Sequence, residues 1–152
     1  MIWTIIMSIA FAQTTYPKSH LTPGKIATDD VKLICSDSYT KKVRAVSEKT
    51  KHDVFTMYGF KKGSYKPGNY EIDHFISLEL GGSNDIENLW PQPYCKKGND
   101  ALKTGCFGAR EKDVVETSLH KRICKHQLTP EEAQQIIRTD WVREYKRIKD
   151  AK

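Results

Sequence analysis

Four cysteines, Cys35, Cys95, Cys106 and Cys124, constrain this chain more than any other feature. The set is even, and no two of its members form the C-x-x-C pair of zinc and thioredoxin-like sites. In an exported chain four such cysteines make two disulfides, with three pairings open. The stretch between Cys95 and Cys106, KKGNDALKTG, is polar and carries two glycines, so it can close as a stapled loop. Cys35 is then left for Cys124, tying an early segment to a later helix. The competing reading is four reduced, buried thiols in a cytosolic protein.

The N-terminus bears on that choice. MIWTIIMSIAFA is apolar, lacks charged side chains and ends in the A-x-A pattern Ala10-Phe11-Ala12. Twelve residues are too few to span a bilayer, which takes about 20 in a helix. Residues 1–12 are therefore expected to be a secretory signal, although the usual basic n-region is missing. Residues 13–152 form one domain, secreted or periplasmic, with no membrane partner once mature. A chain of 152 residues can bury roughly 70% of the surface it exposes when unfolded. With 38% hydrophobic and 29% charged residues, it is neither a polytopic membrane protein nor a disordered tail. Lysine and arginine outnumber aspartate and glutamate 25 to 19, for a net charge of +6, which permits a polyanionic partner without requiring one.

Residues 13–30, with Pro17, Pro23 and Gly24, read as a loose lead-in. A weak helical period covers Lys41 to Tyr58, and residues 61–69 are a turn-rich connector. YEIDHFISL is expected to be a strand bending into a loop. Asn88-Leu89-Trp90-Pro91 is a second short strand, stopped by proline. Residues 109–125 read as a helix. The last helix opens on a capping box, Thr129 with Glu132, and Pro130 in its first turn. It continues through Ile136, Ile137, Trp141, Tyr145 and Ile148. The fold class is α+β, a small hairpin-and-helix core with flanking helices, stapled by disulfides.

The informative string is YEIDHFISLELGGSNDIENLWPQP, residues 70–93. Its imidazole can act as a base near neutral pH, and its carboxylate can hold a hard cation. An isolated Asp-His pair does no more than bond a loop; here the whole string counts. Asp73-His74, Gly81-Gly82, Asn84 and Asn88-Leu89 resemble, in order and spacing, the HNH endonucleases of the His-Me finger (ββα-metal) superfamily. The match is strong over about 25 residues and extends through the helix ending near Cys124, giving a core of about residues 70–125. One departure is that Pro91-Gln92-Pro93 and the Cys95–Cys106 insertion stand where many members carry zinc-knuckle cysteines and a last ligand.

The resemblance implies an exported, metal-dependent endonuclease with low sequence specificity, acting on DNA, with RNA a further candidate. His74 would take a proton from the attacking water, and Asn88 would brace the hairpin and orient His74. Asp73 and a helix ligand would hold one divalent metal. At about 100° per residue, Val115, Leu119 and Ile123 share an inner arc, with Lys112, Glu116 and His120 in or beside it. Glu116 and His120, one turn apart, are the candidate helix ligands, with Glu111 the alternative. Carboxylates favour Mg²⁺ or Mn²⁺, whereas His120 would bring in Zn²⁺ or Ni²⁺. Phosphate contacts would come from basic clusters around the site. Lys41, Lys42, Arg44, Lys61, Lys62 and Lys66 lie before it, and Lys96, Lys97, Arg110 and Lys112 after it; Lys61, Lys62, Arg110 and Lys112 are the chosen candidates. The alternative function is a non-catalytic, disulfide-stabilised nucleic-acid-binding module. Whether an immunity or inhibitor protein accompanies it is open.

Overall fold

The computed structural model describes residues 14–66 and 68–151; the expected signal, residues 1–12, lies outside them. Two disulfides join Cys35 to Cys124 and Cys95 to Cys106, the pairing expected from the loop between the inner two. No helix among the described residues is long and apolar enough to cross a membrane, and the two bridges fit an oxidising compartment.

Short helices lead into the domain: α1 (Val31–Ile34), α2 (Tyr39–Val43) and α3 (Glu48–Met57). The single helix expected over Lys41 to Tyr58 is thus two. Ser47 takes an extended conformation and its side chain accepts from the amide of Thr50, starting α3 afresh. Val54 and Phe55 are the buried face of α3. Phe55 stacks on Tyr65 with centroids 3.8 Å apart and meets Phe60 and Tyr70 edge-on.

A two-stranded antiparallel ribbon follows, β1 (Tyr70–His74) paired with β2 (Leu89–Pro93). Proline does not stop β2 at Pro91 as expected. Phe75 donates to the Asn88 carbonyl and Tyr94 to that of Asn69, and this phase leaves Ile72–Pro91 and Tyr70–Pro93 as the non-hydrogen-bonded pairs. The proline nitrogens therefore face outward, where the ladder needs no donor.

The loop between the strands is dense. A 3₁₀ turn at Leu78–Leu80 ends on Gly81 at φ 86°, and Gly82 lies against the chain it returns to. A Cβ on Gly82 would sit 1.8 Å from the Ile76 carbonyl oxygen and 2.8 Å from Asn88 Nδ2. The lead-in is not loose: Ala27 donates to the Gly81 carbonyl, Ser83 to Lys25 and Gly24 to Glu87. Arg138 holds the Gly24 carbonyl at 2.7 Å from the far end of the chain.

After α4 (Ala101–Thr104), α5 (Ala109–Cys124) packs on α6 (Pro130–Asp150). Val115, Leu119 and Ile123 of α5 meet Ala133, Ile137, Trp141 and Tyr145 of α6, with Ile34, Ile76, Leu80 and Trp90 completing the core. The capping box of Thr129 and Glu132 is present, with Pro130 in the first turn. The helix is not continuous: Asp140 leaves helical geometry (φ −162°, ψ 60°). Its carboxylate accepts from the Arg143 amide at 3.0 Å, starting a second helical run.

Loop-closure entropy separates the two staples. The outer bridge spans 89 residues and the inner one 11. Replacing Cys35 and Cys124 together by alanine should cost about 4.5 kcal/mol, against about 3 kcal/mol for Cys95 and Cys106. Urea unfolding of the two double variants measures both, and equal losses would contradict the loop arithmetic.

Candidate active site

Lys112 organises this region. It is wholly buried, yet its ammonium donates to Asp73 Oδ2 at 2.7 Å, to the His74 carbonyl at 2.8 Å and to Glu116 Oε1. Burial alone would depress its pKa, but the flanking Asp73 and Glu116 carboxylates outweigh that and raise it. Lys112 is therefore a strut between β1 and α5, and its assignment to phosphate binding is corrected: an ammonium with no exposed surface and three acceptors cannot reach a backbone phosphate.

Asp73 and His74 occupy the end of β1. On an ideal strand they would point to opposite faces, but His74 is the last strand residue and both line one cleft of about 190 Å³. Glu116 reaches this cleft from α5, and Glu71, Glu79, Asp113 and Arg44 complete its charged lining. Sequence reasoning passed over the three acids and placed Arg44 only in a basic cluster before the site. Glu71 was findable, because it stands two residues before Asp73 and strand alternation puts the two on one face. Asp113 lies one turn before Glu116 on α5. Burial first, and then the nearby carboxylates of Asp73 and Glu71, push Asp113 up to about 6. Burial likewise raises Glu79, against the opposing charges of His120 and Lys112. Glu116 is raised by burial, which outweighs the pull of Lys112.

His74 is 6% exposed, and burial holds its pKa below the usual range against the opposing effects of Asn84 and Asp73. Its tautomer follows from its partner. The Asn84 amide donates from Nδ2 to the Val43 carbonyl at 2.6 Å, turning Oδ1 toward His74 Nε2 at 3.0 Å. An amide oxygen only accepts, so Nε2 carries the proton and Nδ1 the lone pair. The expectation that Asn88 orients His74 is corrected here. Asn88 is fully buried and accepts from the Ile76 amide while donating to the Ile76 and Ser83 carbonyls. It closes the glycine loop; Asn84 holds the ring.

The helix ligands separate. Glu116 joins Asp73, whereas His120 does not. Its Nε2 lies 3.3 Å from the Ile34 carbonyl and 3.5 Å from Cys124 Sγ, and its Nδ1 is 3.9 Å from Glu79. Cys35, His120 and Cys124 have ligand spacing, but both sulfurs are committed to the disulfide. Glu111 is also elsewhere, its carboxylate accepting from the Gly108 amide at the start of α5. The donors lining the cleft are thus oxygens, apart from His74, the type a hard cation takes, although no three of them stand at ligand spacing. One oxygen each of Asp73 and Glu116 is already engaged by Lys112.

Lys61 and Lys62 are exposed on the connector and line neither this cleft nor the larger one beside it. Arg110 stacks 4.4 Å over the Tyr94 ring and lines that larger cleft. No protein-family model, curated protein or solved structure matches the chain.

Two outcomes are expected. Removing one partner of a buried ionic group strands the rest, so Lys112→Met should cost about 3–5 kcal/mol. Adding Glu116→Gln should recover part of it, and a double-mutant cycle by urea unfolding gives the coupling; a phosphate-binding lysine would leave stability unchanged. Nitrogen-15 NMR of the ring at pH 7.5 should show His74 protonated at Nε2. Asn84→Ala should shift that signal toward a mixture of tautomers.

Proposed function

We propose that the chain is an exported, divalent-metal-dependent endonuclease of the HNH type, its core the β1–β2 hairpin and α5, hydrolysing phosphodiester bonds with little sequence specificity. The observation that carries this reading is a neutral imidazole, its Nδ1 lone pair set by Asn84, beside a cleft lined by five carboxylates. A neutral imidazole base and a set of hard oxygen donors are the two parts that metal-assisted hydrolysis requires.

In this mechanism His74 accepts the proton of the attacking water at Nδ1, and Asn84 keeps the ring from turning. The resulting imidazolium is stabilised by Asp73. Arg44, on the rim, places a fixed positive charge against the phosphate. Asp73, with Glu116 or Asp113 from α5, would hold a divalent cation, with Mg²⁺ or Mn²⁺ favoured over Zn²⁺ or Ni²⁺ because His120 lies outside the cleft. When bound, that ion supplies charge neutralisation at the scissile phosphate and at the leaving 3′ oxygen. Lys112 fixes the position of Asp73 and takes no part in proton transfer. A groove of about 450 Å³ continues from His74 past Arg44, Lys51 and Lys66, a route along which a backbone can be gripped without reading its bases. The paired cysteines support secretion or a periplasmic location.

Purified protein should nick supercoiled plasmid with Mg²⁺ or Mn²⁺ and stop with EDTA. His74→Ala should lower the rate about 10²- to 10⁴-fold at unchanged melting temperature. Retarded plasmid without nicking by wild type, in any of the four metals, would favour the non-catalytic binding module.

A further inference from the structure

Beside the acidic cleft lies a second, larger depression of about 630 Å³ along the β2 side of the ribbon, within the size range of ligand sites. Its aromatic side chains are Tyr58, Phe60, Tyr70 and Tyr94, each half-buried, with Lys18 over the Tyr58 ring and Arg110 over that of Tyr94. Four exposed cations stand on its rim, Lys18, Lys96, Lys97 and Arg110. No carboxylate belongs to its lining among the described residues, although Glu71 accepts the Tyr94 hydroxyl from behind. The neighbouring cleft has the opposite balance, five carboxylates against one arginine.

Rings grouped beneath a fringe of cations have a specific chemical complement. The rings offer stacking surfaces to unpaired bases, and the cations match phosphates. A duplex hides its base faces, so it could use only the cations. Two features tie the depression to the reacting end of the hairpin. Tyr70 opens β1 and His74 closes it, a separation of about 13 Å along the strand, or about four stacked nucleotides at ~3.4 Å each. Lys96 and Lys97 belong to the loop closed by the Cys95–Cys106 bridge, so that staple keeps two of the four cations at the rim.

We infer that this aromatic-floored, cation-rimmed cleft binds single-stranded nucleic acid and delivers it to His74. Delivery rests on the nuclease reading; binding does not. The inner disulfide thereby acquires a role in substrate affinity beyond stability, and single strands or unwound ends become the preferred substrate over intact duplex.

The test is fluorescence anisotropy of a labelled twelve-nucleotide oligodeoxythymidylate, and of a blunt duplex of equal charge, against full-length His74→Ala protein in EDTA. The single strand should bind more tightly than the duplex. Phe60→Leu, which keeps apolar volume and removes the ring, should weaken single-strand binding roughly fivefold to a hundredfold. Joint Lys96→Gln and Lys97→Gln, on an exposed loop where folding is not at risk, should reduce the logarithmic salt slope by about 1.4. The same pair of changes at Lys121 and Lys125 should leave it unaltered. Equal or tighter duplex binding, an unchanged salt slope in the loop variant, or equal competition by polyglutamate would each overturn the inference. Plasmid nicking by the wild type is scored separately. Cutting with unaltered affinity in the cleft variants refutes the cleft alone, and ring-dependent binding without cutting refutes the nuclease alone.

Discussion

A buried ammonium holds this molecule's working parts in place. Lys112 joins the end of β1 to the first half of α5 through Asp73, the His74 carbonyl and Glu116. Desolvating a charge costs several kcal/mol, so a lone lysine there would be expelled or neutralised. Two carboxylates and a carbonyl satisfy all three of its donors, and the helix is fixed in both rotation and distance relative to the strand. The positions of Glu116 and Asp113 on the cleft wall follow from that fixation. So does the phase of the inner arc of Val115, Leu119 and Ile123 that packs on α6.

From this strut the surface divides by charge. On one side of the ribbon, carboxylates crowd until burial and mutual repulsion raise Asp113 and Glu116. On the other, Lys18 and Arg110 stand over aromatic rings, with no acid in the lining among the described residues. In the proposed nuclease this division sets an order of events. A bare acidic cleft repels phosphate, so binding begins at the basic side and productive placement waits for the metal. A net charge of +6 distributed evenly would impose no such sequence.

Local signals announced local structure. The Thr129–Glu132 box marked the start of α6 because capping is written within four residues, and the short polar loop pointed to Cys95–Cys106 because closure there needs few residues. The coarse α+β layout was legible for the same reason. What escaped depends on partners distant in sequence. Lys112 looked like a phosphate ligand because lysines are seldom wholly buried, and only its contact with Asp73, 39 residues earlier, reverses that. His120 has the correct spacing from Glu116 but faces the disulfide; the drift of a 3.6-residue turn carries it off the cleft. Asn84 and Asn88 sit in the same motif, and no spacing argument tells which touches the ring. The breaks at Ser47 and Asp140 reflect side chains that cap a restarting helix, a competition that periodicity alone does not register.

The two prolines of β2 have a consequence for the protein in crowded solution. A two-stranded ribbon has two open edges, and an open edge is a template for another chain. Along the outer side of β2 the outward-pointing amides would belong to Leu89, Pro91 and Pro93. The prolines have none, and that of Leu89 donates to the Ile86 carbonyl. The Leu89 carbonyl in turn accepts from Thr22 Oγ1 at 2.9 Å. A foreign strand approaching this edge meets acceptors without donors and cannot zip. The ribbon is thereby kept from growing on its β2 side, and the residues that close that edge are the ones that looked, in the sequence, as though they would end the strand.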